Sequence, residues 1–218
     1  MRKKERGDLI LVHCISNGST LCKINFTLSI RNNLILSIII LCLVPIIHGI
    51  SYLNEVFSAQ CMEGFVIIPG IVLLVPLLQP EHSREISEIV SSKVVSQRKI
   101  ILSRIFIAVI CLAVLFFSFA GIMKAFKCDF PYIKYAFGTF CSAIALGSTG
   151  LFASAVLGGT IIGYLVSISY FLFDKFTHGE YLSVFTLSSM QSGSFTEKYY
   201  ILGLGILLSA AAVLKKRD

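Results

Sequence analysis

Apolar residues run in long blocks here, without the two-residue alternation of a half-buried strand or the single stripe of a soluble helix. A helix needs about 20 such residues to cross the hydrocarbon of a bilayer. Six stretches meet or approach that length: 33–53, 58–78, 101–122, 133–154, 157–173 and 199–214. The first lies too deep in the chain, and is too long, for the apolar region of a signal peptide. Residues 133–173 are nearly uncharged and hold two spans, with the turn expected between Ala155 and Thr160, where Gly158-Gly159 interrupts the helical pattern. The predicted fold is an all-α integral membrane protein with a six-span domain over 33–214 and a tail at 215–218. Residues 1–32 form an N-terminal segment that reads in two ways. Leu21, Ile24 and Leu28 share one helical face, as in a helix lying in the membrane interface. Ile24, Phe26, Leu28 and Ile30 also alternate with period two after Asn17-Gly18, a hairpin signal.

Composition agrees with the membrane reading. Apolar residues make up 56% of the 218 positions and charged residues 14%, and the mean hydropathy is +0.83. A soluble domain carries about 25% charged residues. The net charge of +7 does not indicate nucleic acid, because the basic residues cluster at the borders of apolar runs. Fourteen of the 19 Lys and Arg fall before the first span, between the second and third, or after the last. The other five are Lys124, Lys127, Lys134, Lys175 and Lys198. Under the positive-inside rule this split predicts cytoplasmic N and C termini. The outer loop around 51–64 then has no Lys or Arg and carries Glu55 and Glu63, and Tyr199-Tyr200 suit an outer aromatic belt. Cys61 and Cys128 are expected outside and open to an impermeant thiol reagent, with Cys14 and Cys22 protected. The seven cysteines form no CxxC pair and no zinc-like spacing.

Catalytic signals are absent from the sequence. No Asp, Glu, Lys or Arg falls near the centre of the predicted spans, and His48 is the one ionisable candidate, toward the outer end of the first. There is no H-E-x-x-H or G-x-S-x-G. The dipeptide Gly-Lys does not occur, so the chain lacks a phosphate loop and any nucleotide hydrolysis belongs to another polypeptide. The expectation is a non-enzyme that binds no cofactor or metal itself. Small residues at helical spacing, Gly138, Ser142, Gly147, Gly150 and Ser154, mark a close helix-packing face. It could serve packing within the chain or between two chains. Pro45, Pro69 and Pro76 are expected to kink or break the first two spans.

The most informative segment lies between spans two and three. Pro80 and Glu81 open a helix over 81–95, in which Ile86, Ile89, Val90 and Val94 make one apolar stripe. Arg84 and Glu88 pair across a turn on the wet side, and Glu85 favours the positive end of the helix dipole. An acidic residue after the second span, an amphipathic helix, Ser92-Lys93-Val94-Val95-Ser96, and basic residues from Arg98 to Arg104 entering the third span together resemble the ABC-2 type transporter permeases.

That resemblance implies a bacterial cytoplasmic-membrane permease subunit, paired with a second permease chain and with an ABC ATPase subunit that holds ATP and Mg. The helix over 81–95 would be the coupling helix, meeting the ATPase through Glu81, Arg84, Glu85, Ile86, Glu88, Ile89 and Val90. It further implies efflux of a drug, antimicrobial peptide or lipid-like substrate, bacteriocin self-immunity included. In the family the loop between the last two spans commonly holds an outer helix or re-entrant hairpin, and 174–198 is its equivalent here. The competing reading is an ATP-independent polytopic membrane protein: a scaffold, a channel-like subunit or a secondary carrier.

Overall fold

The computed structural model describes residues 30–79, 97–177 and 183–215. The N-terminal segment through residue 29, the tail after 215 and the whole of 81–95 lie outside the described residues. Among the described residues the chain is all helical. Helix α1 spans Arg31–His48 and α2 spans Glu55–Cys61; a π-helical turn, Met62–Val66, leads into α3, Ile68–Leu74, and a 3₁₀ turn, Val75–Leu78. Then follow α4 (Gln97–Ala125), α5 (Tyr132–Leu157) and α6 (Thr160–Phe176). Two short 3₁₀ turns, Ser183–Phe185 and Ser189–Ser192, precede α7, Thr196–Lys215. Arg31–His48, the composite Glu55–Leu78, Ile100–Ala125, Tyr132–Leu157 and Thr196–Lys215 are each long and apolar enough to cross a membrane. Helix α6, at 17 residues, is shorter than any of them.

The elements end where local chemistry ends them. Helix α1 runs through Pro45 and stops one turn later at His48, short of the predicted 53. Gly49 caps it at φ 69° and donates its N–H to the Pro45 carbonyl, a left-handed stop that favours glycine. The Asn54 side chain then accepts the Phe57 N–H at 3.0 Å and Glu55 occupies the first turn, so the second membrane helix begins at 55 instead of 58. Gly158, at φ 72°, closes α5 through an N–H bond to Ser154.

Helix α5 is the axis of the bundle. It packs on α3, α4, α6 and α7, and its small residues let backbones nearly touch. A Cβ on Gly147 would lie 2.4 Å from the Gly70 carbonyl oxygen of α3, one on Gly150 2.6 Å from that of Gly163 in α6, and one on Gly205 of α7 3.1 Å from the Ala145 Cα. Ser154 is buried beside Gly163. These residues therefore pack within the chain. The outward faces are apolar: Ile46 of α1 is 79% exposed and Ile161 of α6 76%, among many large hydrophobic neighbours. Contiguous surfaces of this kind belong against lipid, and the molecule is a multi-pass membrane protein.

One sequence expectation fails on burial. Cys61 and Cys128 are both buried, and the Cys128 thiol donates to the Ile50 carbonyl at 3.0 Å. Neither is positioned to react with an impermeant reagent.

Candidate functional site

The second membrane helix is broken in the middle, and the break positions a charge. Proline at 69 offers no N–H to the carbonyl four residues earlier and crowds it. The chain passes through the π turn Met62–Val66 just before Pro69 and returns to α-helix at Ile68. Pro76 coincides with the 3₁₀ turn that ends the element. A π turn shifts side chains off the regular helical register and is frequent at functional sites. Here it carries Glu63, fully buried.

Lys198 meets Glu63 from the start of α7. That helix opens at Thr196 within Ser194-Phe195-Thr196-Glu197, the spacing of a capping box, where the Ser194 hydroxyl donates to the Glu197 carboxylate. Lys198 is thereby fixed in the first turn, facing inward and 1% exposed. Its ammonium uses all three protons: 2.8 Å to Glu63 Oε1, 2.8 Å to the Ser142 hydroxyl oxygen and 2.6 Å to the Leu187 carbonyl. Glu63 also accepts the Met190 N–H at 2.7 Å and the Gln191 amide at 3.3 Å. Burying two charges is tolerable only with partners this complete.

A second carboxylate pins the same loop. Asp174, buried near the end of α6, accepts the Leu187 N–H at 2.8 Å, the Thr186 hydroxyl at 2.9 Å and the Ser188 hydroxyl at 2.7 Å. The segment 183–195 is thus folded back onto the helix ends, with Leu187 and Met190 buried. Gly138 of α5 makes room for it, since a Cβ there would sit 2.5 Å from the Met190 sulfur. Irregular backbone beside a membrane requires this kind of satisfaction of its polar groups.

Beside this network lies a cavity of about 1040 Å³, lined by residues that include His48, Gln60, Phe65, Phe171, Lys175 and Ser189. His48 meets Phe65 edge-on, with ring centroids 5.5 Å apart. The Lys175 ammonium donates to the Ser188 hydroxyl at 2.9 Å. No group of three or more His, Cys, Asp or Glu side chains among the described residues is placed to hold a metal ion.

Of the site residues expected from sequence, Glu81, Arg84, Glu85, Ile86, Glu88, Ile89 and Val90 lie outside the described residues. Gly138, Ser142, Gly147, Gly150 and Ser154 all lie on α5. Three of them, Gly138, Ser142 and Gly147, contact the loop, the buried ammonium and the broken helix respectively. Glu63, Lys198, Asp174 and Lys175 are the residues that sequence reasoning left in outer loops. One signal could have found Lys198, the Ser-x-x-Glu spacing at 194–197, which moves the start of the last helix ahead of it; Glu63 fell where the predicted span 58–78 overlaps the loop 51–64. The chain matches no family model, no curated protein and no solved structure.

Proposed function

We propose that the chain is the permease subunit of an ATP-binding-cassette exporter of the ABC-2 type. In this reading α6 is the fifth of six spans, both termini are cytoplasmic, and a separate ATPase binding ATP and Mg drives efflux of a drug, antimicrobial peptide or lipid-like substrate. The observation that carries it is a tie between the two membrane helices that the sequence 81–95 connects. Arg104, buried in α4, donates from Nη1 to the Leu77 carbonyl at 3.2 Å. The two membrane helices flanking that segment are therefore tied together at its ends, so a force applied to the segment moves both. A charged, amphipathic connector on such a base suits a mechanical input from a soluble partner. A bacterial cytoplasmic membrane, a second permease chain and bacteriocin self-immunity belong to the same proposal by resemblance.

The buried Glu63–Lys198 pair favours a second reading, an ATP-independent carrier, because ionisable residues inside membrane domains often mark transport paths. Co-purification separates the two. Ile86→Ala with Ile89→Ala is expected to reduce recovery of the ATPase subunit about tenfold, as expected when interface anchors each worth more than about 1 kcal/mol are truncated, while membrane insertion is unchanged. Transport at full rate without any ATPase would establish the carrier instead.

A further inference from the structure

The cavity beside the ion-pair network has a charge asymmetry that its lining residues alone do not suggest. Two carboxylates lie close by, yet neither is available to it. Glu63 is spent on Lys198, Met190 and Gln191, and Asp174 on Thr186, Leu187 and Ser188. Among the described residues no Asp or Glu lines it, whereas Lys175 and His48 do. The Lys175 ammonium has one hydrogen bond, to a hydroxyl, and no carboxylate within ion-pair distance among the described residues. Neutral polar groups also line the cavity: Gln60, Gln191, which keeps one amide proton beyond its bond to Glu63, and the buried Ser189 hydroxyl, which has no hydrogen-bond partner. Phe65 and Ile68 add apolar lining, and the Phe171 ring lies under the Lys175 ammonium, its centroid 6.0 Å away. The volume is at the upper end of the range for small-molecule sites. The cavity sits where α1 and α6 end, at His48 and Lys175.

We propose that this cavity binds an amphiphile with an acidic head, the head on Lys175 and the neutral donors of the lining and the apolar body against Phe65 and Ile68. Charge-assisted bonds from an ammonium to a phosphate or carboxylate are about twice as strong as neutral ones, and the surrounding amides and hydroxyls complete the coordination of such a head. Either a membrane lipid or a free amphiphile carries this chemistry. The proposal concerns binding alone and stands whether or not an ATPase drives the chain.

The test uses the full chain purified in neutral detergent and native mass spectrometry of bound molecules, with octyl phosphate, octyl glucoside and octyltrimethylammonium as probes. Octyl phosphate is expected to bind at least tenfold more tightly than the other two. Lys175→Gln should remove that preference, and Lys175→Arg should keep it within about threefold, given that both cations bond phosphate. Gly64→Leu supplies an independent steric variant: Gly64 lines the cavity, and a Cβ on it would meet nothing within 4 Å, so the added side chain projects into the cavity beside Phe65 without a clash at its Cβ. It should weaken octyl phosphate at least tenfold with Lys175 intact. Protein first held in phosphatidylcholine–phosphatidylglycerol bilayers reports the source. Phosphatidylglycerol retained by wild type and lost in Gly64→Leu identifies a lipid site, and octyl phosphate binding without retained lipid identifies a site for free amphiphiles. Equal binding of the three probes, or wild-type octyl phosphate affinity in both Lys175→Gln and Gly64→Leu, would overturn the proposal.

Discussion

Lys198→Met is expected to destabilise the protein by about 3–5 kcal/mol, because it strands the buried Glu63 carboxylate without a counter-charge. The lysine also supplies a donor to the Leu187 carbonyl and to Ser142, so the loop carrying Leu187 and Met190 loses its anchor together with the charge. Glu63→Gln in the same chain should recover much of the loss. A neutral amide leaves no uncompensated charge and still offers an oxygen to the Met190 N–H. Unfolding in mixed detergent micelles, followed by circular dichroism, gives the two free energies. A double variant as unstable as the sum of the two single ones would mean that Glu63 and Lys198 do not interact.

The second large effect belongs to the close approach of α5 and the broken helix. Gly147→Leu puts a side chain where the Cβ alone would lie 2.4 Å from the Gly70 carbonyl oxygen and 2.8 Å from the Leu74 Cβ. Overpacking usually costs about 1–3 kcal/mol and occasionally more, and here one obstacle is backbone, which cannot change rotamer. The expected result is loss of monodisperse folded protein, or a destabilisation at or above the top of that range. Gly121→Leu is the matched control. Gly121 lies on the exposed side of α4, and a Cβ there meets nothing within 4 Å. Equal effects at the two positions would mean that α5 is not packed this closely.

These two sites also mark what the sequence could disclose. The small residues of α5 announce a packing face by their own spacing, since residues four apart lie on one side of a helix. The surfaces that fill it do not announce themselves. Gly70, Gly163 and Gly205 are single glycines in apolar runs, and only the folded chain opposes them to Gly147, Gly150 and Ala145. The ion pair is hidden for a similar reason. Its members are 135 positions apart, Lys198 just outside the last apolar block and Glu63 near the start of the second, where a hydropathy window does not pair them. Capping is the local signal that draws Lys198 into the last helix, because a helix begins at its first satisfied N–H groups rather than at its first apolar residue. The polar loop at 183–195 looks solvated from its composition. It is held against the bundle because Glu63 and Asp174 accept its backbone and side-chain donors, an arrangement that needs both carboxylates in place at once.

Orientation is decisive, because the proposed function requires the cavity outside and the segment 81–95 inside. Labelling with an impermeant thiol reagent in intact cells reads it directly, in a chain cleared of its native cysteines. The native Cys61 and Cys128 are unsuitable, since burial shields both. Ser51, exposed in the loop after α1, takes their place on one side, and Ser92, between the second and third membrane helices, on the other. Ser51→Cys is predicted to react in intact cells, and Ser92→Cys only after permeabilisation. Reaction of Ser92→Cys in intact cells, with Ser51→Cys protected, would contradict the account.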